Sequence, residues 1–211
     1  MSTTRNSPEK NSHTKLLLAT HNKGKAREFT QLLVDVPFDL VTLDDVGISQ
    51  DVEETGHTFQ ENAVLKAKAY AQISGLPTMS EDSGIEVDAL GGEPGYLSAR
   101  YGGPGLNDAD RVALLLKNLQ NIPDGQRSAR FLSVIALVWP SGDGELHEGR
   151  CEGVITRAPV GGGGFGYDPI FFMPEFGMTT AEMSPEQKNQ VSHRGQAAHK
   201  ALESLKRYSL P

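Results

Sequence analysis

The stretch Lys15-Leu-Leu-Leu-Ala-Thr-His-Asn-Lys-Gly-Lys25 sets an apolar run before a polar loop, and the loop leads into a helical pattern. The apolar run over residues 15–19 is typical of a buried strand. From Gly24 to Val34, apolar side chains recur at helical spacing, at Ala26, Phe29, Leu32 and Leu33. This strand–loop–helix unit is the building block of an α/β fold.

Helix signals recur further along the chain. Thr58-Phe-Gln-Glu61 has the pattern of a capping box, and the helix that it opens is predicted to run to about Gln72. Asn107 is predicted to cap a second helix with four residues on its buried face: Val112, Ala113, Leu116 and Leu119. A capping box at Ser184-Pro-Glu-Gln187 starts the C-terminal helical region.

Strand signals alternate with these helices, over Thr78–Ser80, Phe131–Trp139, Val154–Thr156 and Ile170–Phe172. The run ending at Trp139 is rich in β-branched and aromatic residues. The alternation predicts an α/β fold, with a mixed sheet flanked by helices and two lobes around a central cleft.

The composition limits the partners that the chain could bind. Its 211 residues carry 20 Lys and Arg against 27 Asp and Glu, a net charge of −7. An acidic chain is a poor general binder of polymeric nucleic acid or of membrane surfaces. An anionic ligand would therefore need a local cluster of cations and backbone N–H groups.

The length fits one domain at ~150 residues per domain, predicted over residues 15–211. Residues 1–14 are polar and are predicted to be a disordered tail, with a targeting role as the alternative. The single cysteine, Cys151, excludes an internal disulfide and favours a reducing, cytoplasmic location. No apolar run approaches the ~20 residues of a membrane span.

Residues 20–25 form a candidate phosphate site at the start of the first helix. Free N–H groups and the positive dipole end attract anions there. Lys25 opposes that dipole by ~0.3–1 kcal/mol, and a bound polyanion would offset this cost. An ordinary loop with an asparagine cap is the alternative. The match to G-x-G-x-x-G at Gly161, Gly163 and Gly166 lacks the following helix that dinucleotide binding needs.

An acidic group comprises Asp51, Glu53 and Glu54, together with Glu81-Asp82 after a short strand. Paired carboxylates beside a phosphate loop suit Mg²⁺, which accepts one or two carboxylates and substrate phosphates. A solvated acidic face is the alternative interpretation.

A third group brings together Lys188, Ser192, His193 and Arg194. Lys188 and Ser192 are four residues apart and would share a helix face. Beside a lysine and an arginine, the histidine is interpreted as part of an anion or carbonyl reader, although a structural histidine is the alternative.

Eight segments in order resemble the inosine triphosphate pyrophosphatases, which hydrolyse non-standard purine nucleoside triphosphates such as ITP, dITP and XTP. The resemblance extends from residue 16 to about 206. Its segments are Leu17-Leu-Ala-Thr-His-Asn-Lys-Gly-Lys25, Glu53-Glu-Thr-Gly56, Thr58-Phe-Gln-Glu-Asn-Ala63, Glu81-Asp-Ser-Gly84, Leu90-Gly-Gly-Glu-Pro-Gly95, Ser98-Ala-Arg-Tyr101, Gly164-Phe-Gly-Tyr-Asp-Pro169 and Ser192-His-Arg-Gly195.

The resemblance implies a role for each matching residue. The triphosphate loop corresponds to Thr20, His21, Asn22, Lys23, Gly24 and Lys25, and Lys66 also matches a phosphate contact. Glu53 and Asp82 match the Mg²⁺ positions, and Asp82 matches the general base. Ser83 matches a substrate contact. The segment that packs against and hydrogen-bonds the base matches Phe165, Gly166, Tyr167 and Asp168. The group that reads the purine matches Lys188, His193 and Arg194.

The implied reaction converts a nucleoside triphosphate and water to the monophosphate and pyrophosphate, in an enzyme that is usually a homodimer. Two residues depart from the pattern: His21 replaces a glycine of many relatives, and Glu81 replaces a frequent aspartate. A non-catalytic nucleotide sensor and a septum-inhibitor-like pyrophosphatase are the alternatives. The segment Ser192-His-Arg-Gly195 argues against the latter.

Overall fold

The computed structural model describes residues 14–208, so the predicted tail over residues 1–14 lies outside the described residues except for Thr14. Within the described range the chain forms seven strands and five α-helices. Their bounds are β1 (Lys15–Leu18), α1 (Lys23–Leu32), β2 (Asp39–Thr42), α2 (Phe59–Ser74), β3 (Thr78–Val87), α3 (Asp108–Asn118), β4 (Ser128–Val138), β5 (Gly144–Ile155), β6 (Phe171–Met173), β7 (Met178–Thr179), α4 (Pro185–Val191) and α5 (His193–Tyr208).

All seven strands join one mixed sheet in the order β2-β1-β3-β4-β5-β6-β7. β1 runs parallel to β2 and β3, and the remaining neighbours are antiparallel. The α/β class with a mixed sheet is confirmed, while the division into two lobes stays a prediction. No helix within residues 14–208 is long and apolar enough to cross a membrane.

Alternation along β1 distributes its side chains to both faces of the sheet, as a buried strand requires. Leu16 and Leu18 pack in a cluster with α1 and α5, and Leu17 packs with Tyr70 of α2 on the opposite face. Further along the first face, α3 packs on a second cluster that includes Ile85 of β3. The helices thus cover both faces and leave polar β3 residues between the two clusters.

The predicted end of β3 is wrong. The sequence indicated a strand over Thr78–Ser80 and a turn at Gly84, but the strand continues to Val87 and pairs with β4 throughout. Gly84 is required by close packing instead: a Cβ there would meet the hydroxyl of Ser98 and lie 2.5 Å from the carbonyl oxygen of Gly95. Glu81 and Asp82 consequently lie within a strand in the interior of the sheet.

Three smaller predictions also need correction. The buried face of α3 contains Leu115 where Ala113 was predicted, and Ala113 is exposed. The strand predicted over residues 154–156 is the end of the twelve-residue β5. In the Thr58 box, the glutamate accepts a hydrogen bond from His57 N at 2.7 Å rather than from the capping threonine. The capping box at Ser184 is confirmed.

Candidate active site

A cavity of about 270 Å³ opens beyond the end of β1. Because β1 pairs only with the first two residues of β3, the middle of β3 has no neighbouring strand on that side. It is lined by residues from each of the three predicted clusters. Those predicted from the sequence are Thr20, His21, Asn22, Lys25, Lys66, Asp82, Ser83, Phe165, Gly166, Tyr167, Asp168, Lys188, His193 and Arg194. Lys23, Gly24 and Glu53 are outside the lining.

The loop after β1 has the geometry of a capped helix start. Asn22 accepts a hydrogen bond from Lys25 N at 3.0 Å, and Thr20 accepts one from Asn22 N at 3.1 Å. Lys23 is exposed, whereas Gly24 packs so closely on the Phe165 ring that a Cβ would lie 2.8 Å from it. The loop therefore presents N–H groups and the Lys25 ammonium to the cavity.

His21 ties this loop to the neighbouring segment. Its Nε2 lies 3.3 Å from both the Gln50 carbonyl oxygen and the Tyr70 hydroxyl. Tyr70 also donates to the Gln50 carbonyl at 3.0 Å. The histidine that departs from the resemblance is thus accommodated by a partner on α2.

Lys66 lies between two carboxylates at the edge of β3. Its ammonium is 2.5 Å from Glu54 Oε1 and 3.3 Å from Asp82 Oδ1, and it donates to the Glu81 carbonyl at 3.0 Å. Burial raises the pKa of Asp82 and outweighs the opposing effects of Lys66 and Lys25. For Glu54, burial acts to raise the pKa, but the charge and hydrogen bond of Lys66 together with the charges of Lys25 and Arg100 lower it.

The neighbouring glutamates Glu53 and Glu54 separate in the structure. Glu53 is exposed, whereas Glu54 lines the cavity and also pairs with Arg100 at 3.5 Å. Of these two adjacent residues, only one lines the cavity. The sequence alone does not indicate which.

The far end of the cavity is aromatic and cationic. Lys188 pairs with Asp168 at 2.6 Å, and Arg194 donates to the Ser83 hydroxyl at 3.1 Å. Both cations lie over the Phe165 ring, at 5.2 and 5.3 Å from its centroid. His193 is stacked on a neighbouring ring, and its burial lowers its pKa well below the usual range, so it is neutral near pH 7.

The comparisons identify the family. The profile of the Ham1 family matches residues 16–204. The chain belongs to the Ham1 family. Over 194 residues it is 52% identical to the dITP/XTP pyrophosphatase of Symbiobacterium thermophilum, covering 92% of this chain and 96% of that protein. Its identity to a dITP/XTP pyrophosphatase of Thermus thermophilus is 49%, over 91% of this chain and 92% of that one.

A solved structure agrees with this Ham1 assignment. The HAM1 protein from Coxiella burnetii superimposes with a TM-score of 0.84 at 40% identity, over 92% of this chain and 99% of that one. The family resemblance found in the sequence is therefore confirmed.

Two carboxylates of this Ham1-family chain have contacts that the sequence analysis did not predict: Glu81 was considered only as a possible Mg²⁺ carboxylate, and Glu28 was not singled out. Glu81 is buried against Lys25 and Arg194, at 2.7 and 3.2 Å. Glu28 is 2.8 Å from Lys188 and also pairs with Arg194. Glu28 lies three residues after Lys25 on α1, a spacing that places both on one helix face. That spacing was the available signal.

Other cavity residues of the Ham1 chain were also not predicted. They lie on α2, in the segment before α3 and at the start of α3, and include Tyr70, Tyr96, Ser98, Ala99, Asp108 and Arg111. Asp108 accepts a hydrogen bond from Gly166 N at 2.9 Å. This contact fixes the glycine-rich segment against the start of α3.

The donor set for a metal is small. Within residues 14–208 no group of three or more His, Cys, Asp or Glu side chains is arranged to hold an ion. Asp82 Oδ2 is buried and has no hydrogen-bond partner among the described residues, and Glu54 approaches the same ammonium as Asp82. Two carboxylates completed by substrate phosphates fit the coordination that Mg²⁺ prefers.

Proposed function

We propose that this chain hydrolyses non-standard purine nucleoside triphosphates (ITP, dITP and XTP) to the monophosphate and pyrophosphate, and so removes them from the nucleotide pool. The main support is that one cavity brings three features together. They are the start of α1, which suits phosphate, the buried carboxylate of Asp82, and an end lined by aromatic and cationic side chains. The names of relatives at about 50% identity support it.

Asp82 is the proposed general base. Burial raises its pKa, which makes its carboxylate a better proton acceptor for an attacking water. Lys25, Lys66 and the N–H groups of residues 20–25 would hold the phosphates and stabilise the departing pyrophosphate.

Magnesium is the proposed cofactor. When bound, Mg²⁺ would neutralise phosphate charge and polarise the reacting oxygens. The resemblance assigns it to Asp82 and Glu53, whereas the position of Glu54 beside Lys66 supports Glu54 as the second carboxylate. The unpartnered Asp82 Oδ2 supports Asp82 in this role.

Selection of the base is proposed to follow hydrogen-bond polarity. Hypoxanthine and xanthine carry a carbonyl at purine position 6, where adenine carries an amino group. Arg194 and Lys188 are pure donors, so they favour the carbonyl. GTP shares that carbonyl and must be excluded at its 2-amino group. We therefore expect ATP to be refused more strongly than GTP, since buried polar pairing discriminates by ~10⁴–10⁵.

The biological setting is proposed from weaker signals. The family resemblance supports a homodimer, and the single, buried Cys151 supports a reducing, cytoplasmic location. The net charge of −7 argues against polymeric nucleic acid or membrane as partners.

The test is pyrophosphate release from ITP, dITP, XTP, GTP and ATP, each with Mg²⁺ and with EDTA. Metal-dependent release from the first three, with little from ATP, is the expected result. Binding of ITP without pyrophosphate release would instead identify a nucleotide sensor. ATP as a better substrate than GTP would contradict the proposed base selection.

A further inference from the structure

Six charged side chains of alternating sign run from the base end of the cavity to the phosphate loop. Three acids and three bases take part, and each contacts the next: Asp168 with Lys188 at 2.6 Å, Lys188 with Glu28 at 2.8 Å, Glu28 with Arg194, Arg194 with Glu81 at 3.2 Å, and Glu81 with Lys25 at 2.7 Å. The order places Glu81 at the junction of the two ends.

Glu81 lies beneath the cavity rather than in it. Its side chain is 1% exposed, and it does not line the cavity. One carboxylate oxygen contacts the Lys25 ammonium of the phosphate loop, and the other contacts Arg194 and accepts a hydrogen bond from Ser133 at 2.8 Å. β4 supplies that serine, so the carboxylate is fixed to the sheet.

We infer that Glu81 is a positioning residue that holds Lys25 and Arg194 at once, so that one buried carboxylate sets the geometry of both the phosphate end and the base end. The inference rests on the proposed function for the identity of those two ends. Its physical basis is that removal of one partner of a buried ion pair leaves the other charge uncompensated, so Lys25 and Arg194 would both lose the contact that fixes them.

Glu28 provides the matched control. It also pairs with Arg194, but its second partner is Lys188, so both of its contacts belong to the base end. Loss of the Glu28 charge should therefore disturb base selection alone, whereas loss of the Glu81 charge should disturb both ends.

The experiment compares Glu81→Gln, Glu81→Asp and Glu28→Gln with the unaltered protein. The dissociation constant of inorganic pyrophosphate, from calorimetry with Mg²⁺, reports on the phosphate end. The ratio of kcat/KM for ITP to that for ATP reports on the base end. Circular dichroism and thermal melting show whether each variant folds.

For Glu81→Gln we expect pyrophosphate binding to weaken on the order of tenfold and the ITP/ATP ratio to fall. Glu28→Gln should lower the ratio. Its dissociation constant for pyrophosphate should stay within about twofold of that of the unaltered protein, because a distant substitution has only a small effect there. Glu81→Asp keeps the charge on a shorter side chain, so both of its readouts should lie between those of the unaltered protein and Glu81→Gln.

Unchanged pyrophosphate binding in folded Glu81→Gln would overturn the inference, as would an equal loss in Glu28→Gln. If Glu81→Gln does not fold, Glu81→Asp takes its place as the test. A pyrophosphate dissociation constant and an ITP/ATP ratio both equal to those of the unaltered protein would then overturn the inference. Failure of the unaltered protein to release pyrophosphate from ITP would refute the proposed function, while the binding arm would still test the role of Glu81 at the phosphate end.

Discussion

At the scale of single residues, the site depends on which of several similar side chains face the cavity. Asp51, Glu53, Glu54 and Asp82 are all acidic, but only Asp82 combines burial with an oxygen that lacks a hydrogen bond. Burial is a property of the folded chain, so the sequence could nominate these residues but could not rank them.

Asp82→Asn should lower kcat by about 10²–10⁴-fold, the usual contribution of a general base, and change KM much less. The amide is isosteric but cannot accept the proton. Steady-state kinetics with ITP would measure this, with Asp51→Asn as the control because Asp51 also lines the cavity. A kcat near that of the unaltered protein would remove Asp82 from the mechanism.

Glu54→Gln should raise the Mg²⁺ concentration needed for half-maximal activity, because the substitution removes a cavity carboxylate. Glu53→Gln is the matched control and should leave that concentration unchanged, since Glu53 is exposed. Calorimetric titration of Mg²⁺ in the presence of pyrophosphate provides a second readout. The reverse pattern would restore Glu53 as the metal residue.

At the scale of elements, the spacing of apolar residues was sufficient to predict a strand or helix that is amphipathic or wholly apolar. The first strand, the helix from Phe59 and the strand ending at Val138 were predicted close to their observed bounds. β3 was cut short because Glu81, Asp82 and Gly84 resemble a solvated turn. The place of Glu81 and Asp82 in a strand depends on cations supplied by distant segments, which the local sequence pattern does not contain.

Gly84→Ala should destabilise the fold by about 1–3 kcal/mol, the usual cost of overpacking. The new Cβ would lie 2.5 Å from the carbonyl oxygen of Gly95, and both groups are held by the β3 contacts with residues 95–100. Urea unfolding would measure the change.

Gly125→Ala is the control for this substitution, since a Cβ there meets nothing within 4 Å. Its free energy of unfolding should stay within about 0.5 kcal/mol of the unaltered value. If Gly84→Ala were as stable as this control, the segment after β3 would be able to move away from the new Cβ at little cost in free energy.

At the scale of the whole molecule, buried ion pairs link stability to pH. Although burial opposes it, Arg194 and Lys188 lower the pKa of Glu28 below its ordinary value of 4.5. A carboxyl whose pKa is lower in the folded state stabilises the fold above its unfolded pKa, and this contribution is lost as pH falls through the folded value. Asp82 acts in the opposite sense because its pKa is raised.

The free energy of unfolding should therefore fall more steeply with acidification in the unaltered protein than in Glu28→Gln. Urea titrations at several values between pH 7 and pH 3 would measure this, and the difference between the two proteins isolates Glu28 from the remaining carboxyls. Identical slopes would show that Glu28 has the same pKa in the folded and unfolded chains.

The alternating chain of charges also bears on how a nucleotide arrives. Each of Lys25, Lys188 and Arg194 already faces a carboxylate, and the molecule as a whole is acidic. A free polyanion approaching from solution is thus not drawn in by a strong positive potential, and capture should depend only weakly on ionic strength. We expect the cavity to recognise its ligand mainly through short-range contacts. We expect a triphosphate to bind cations that the carboxylates of Glu28 and Glu81 already hold in position.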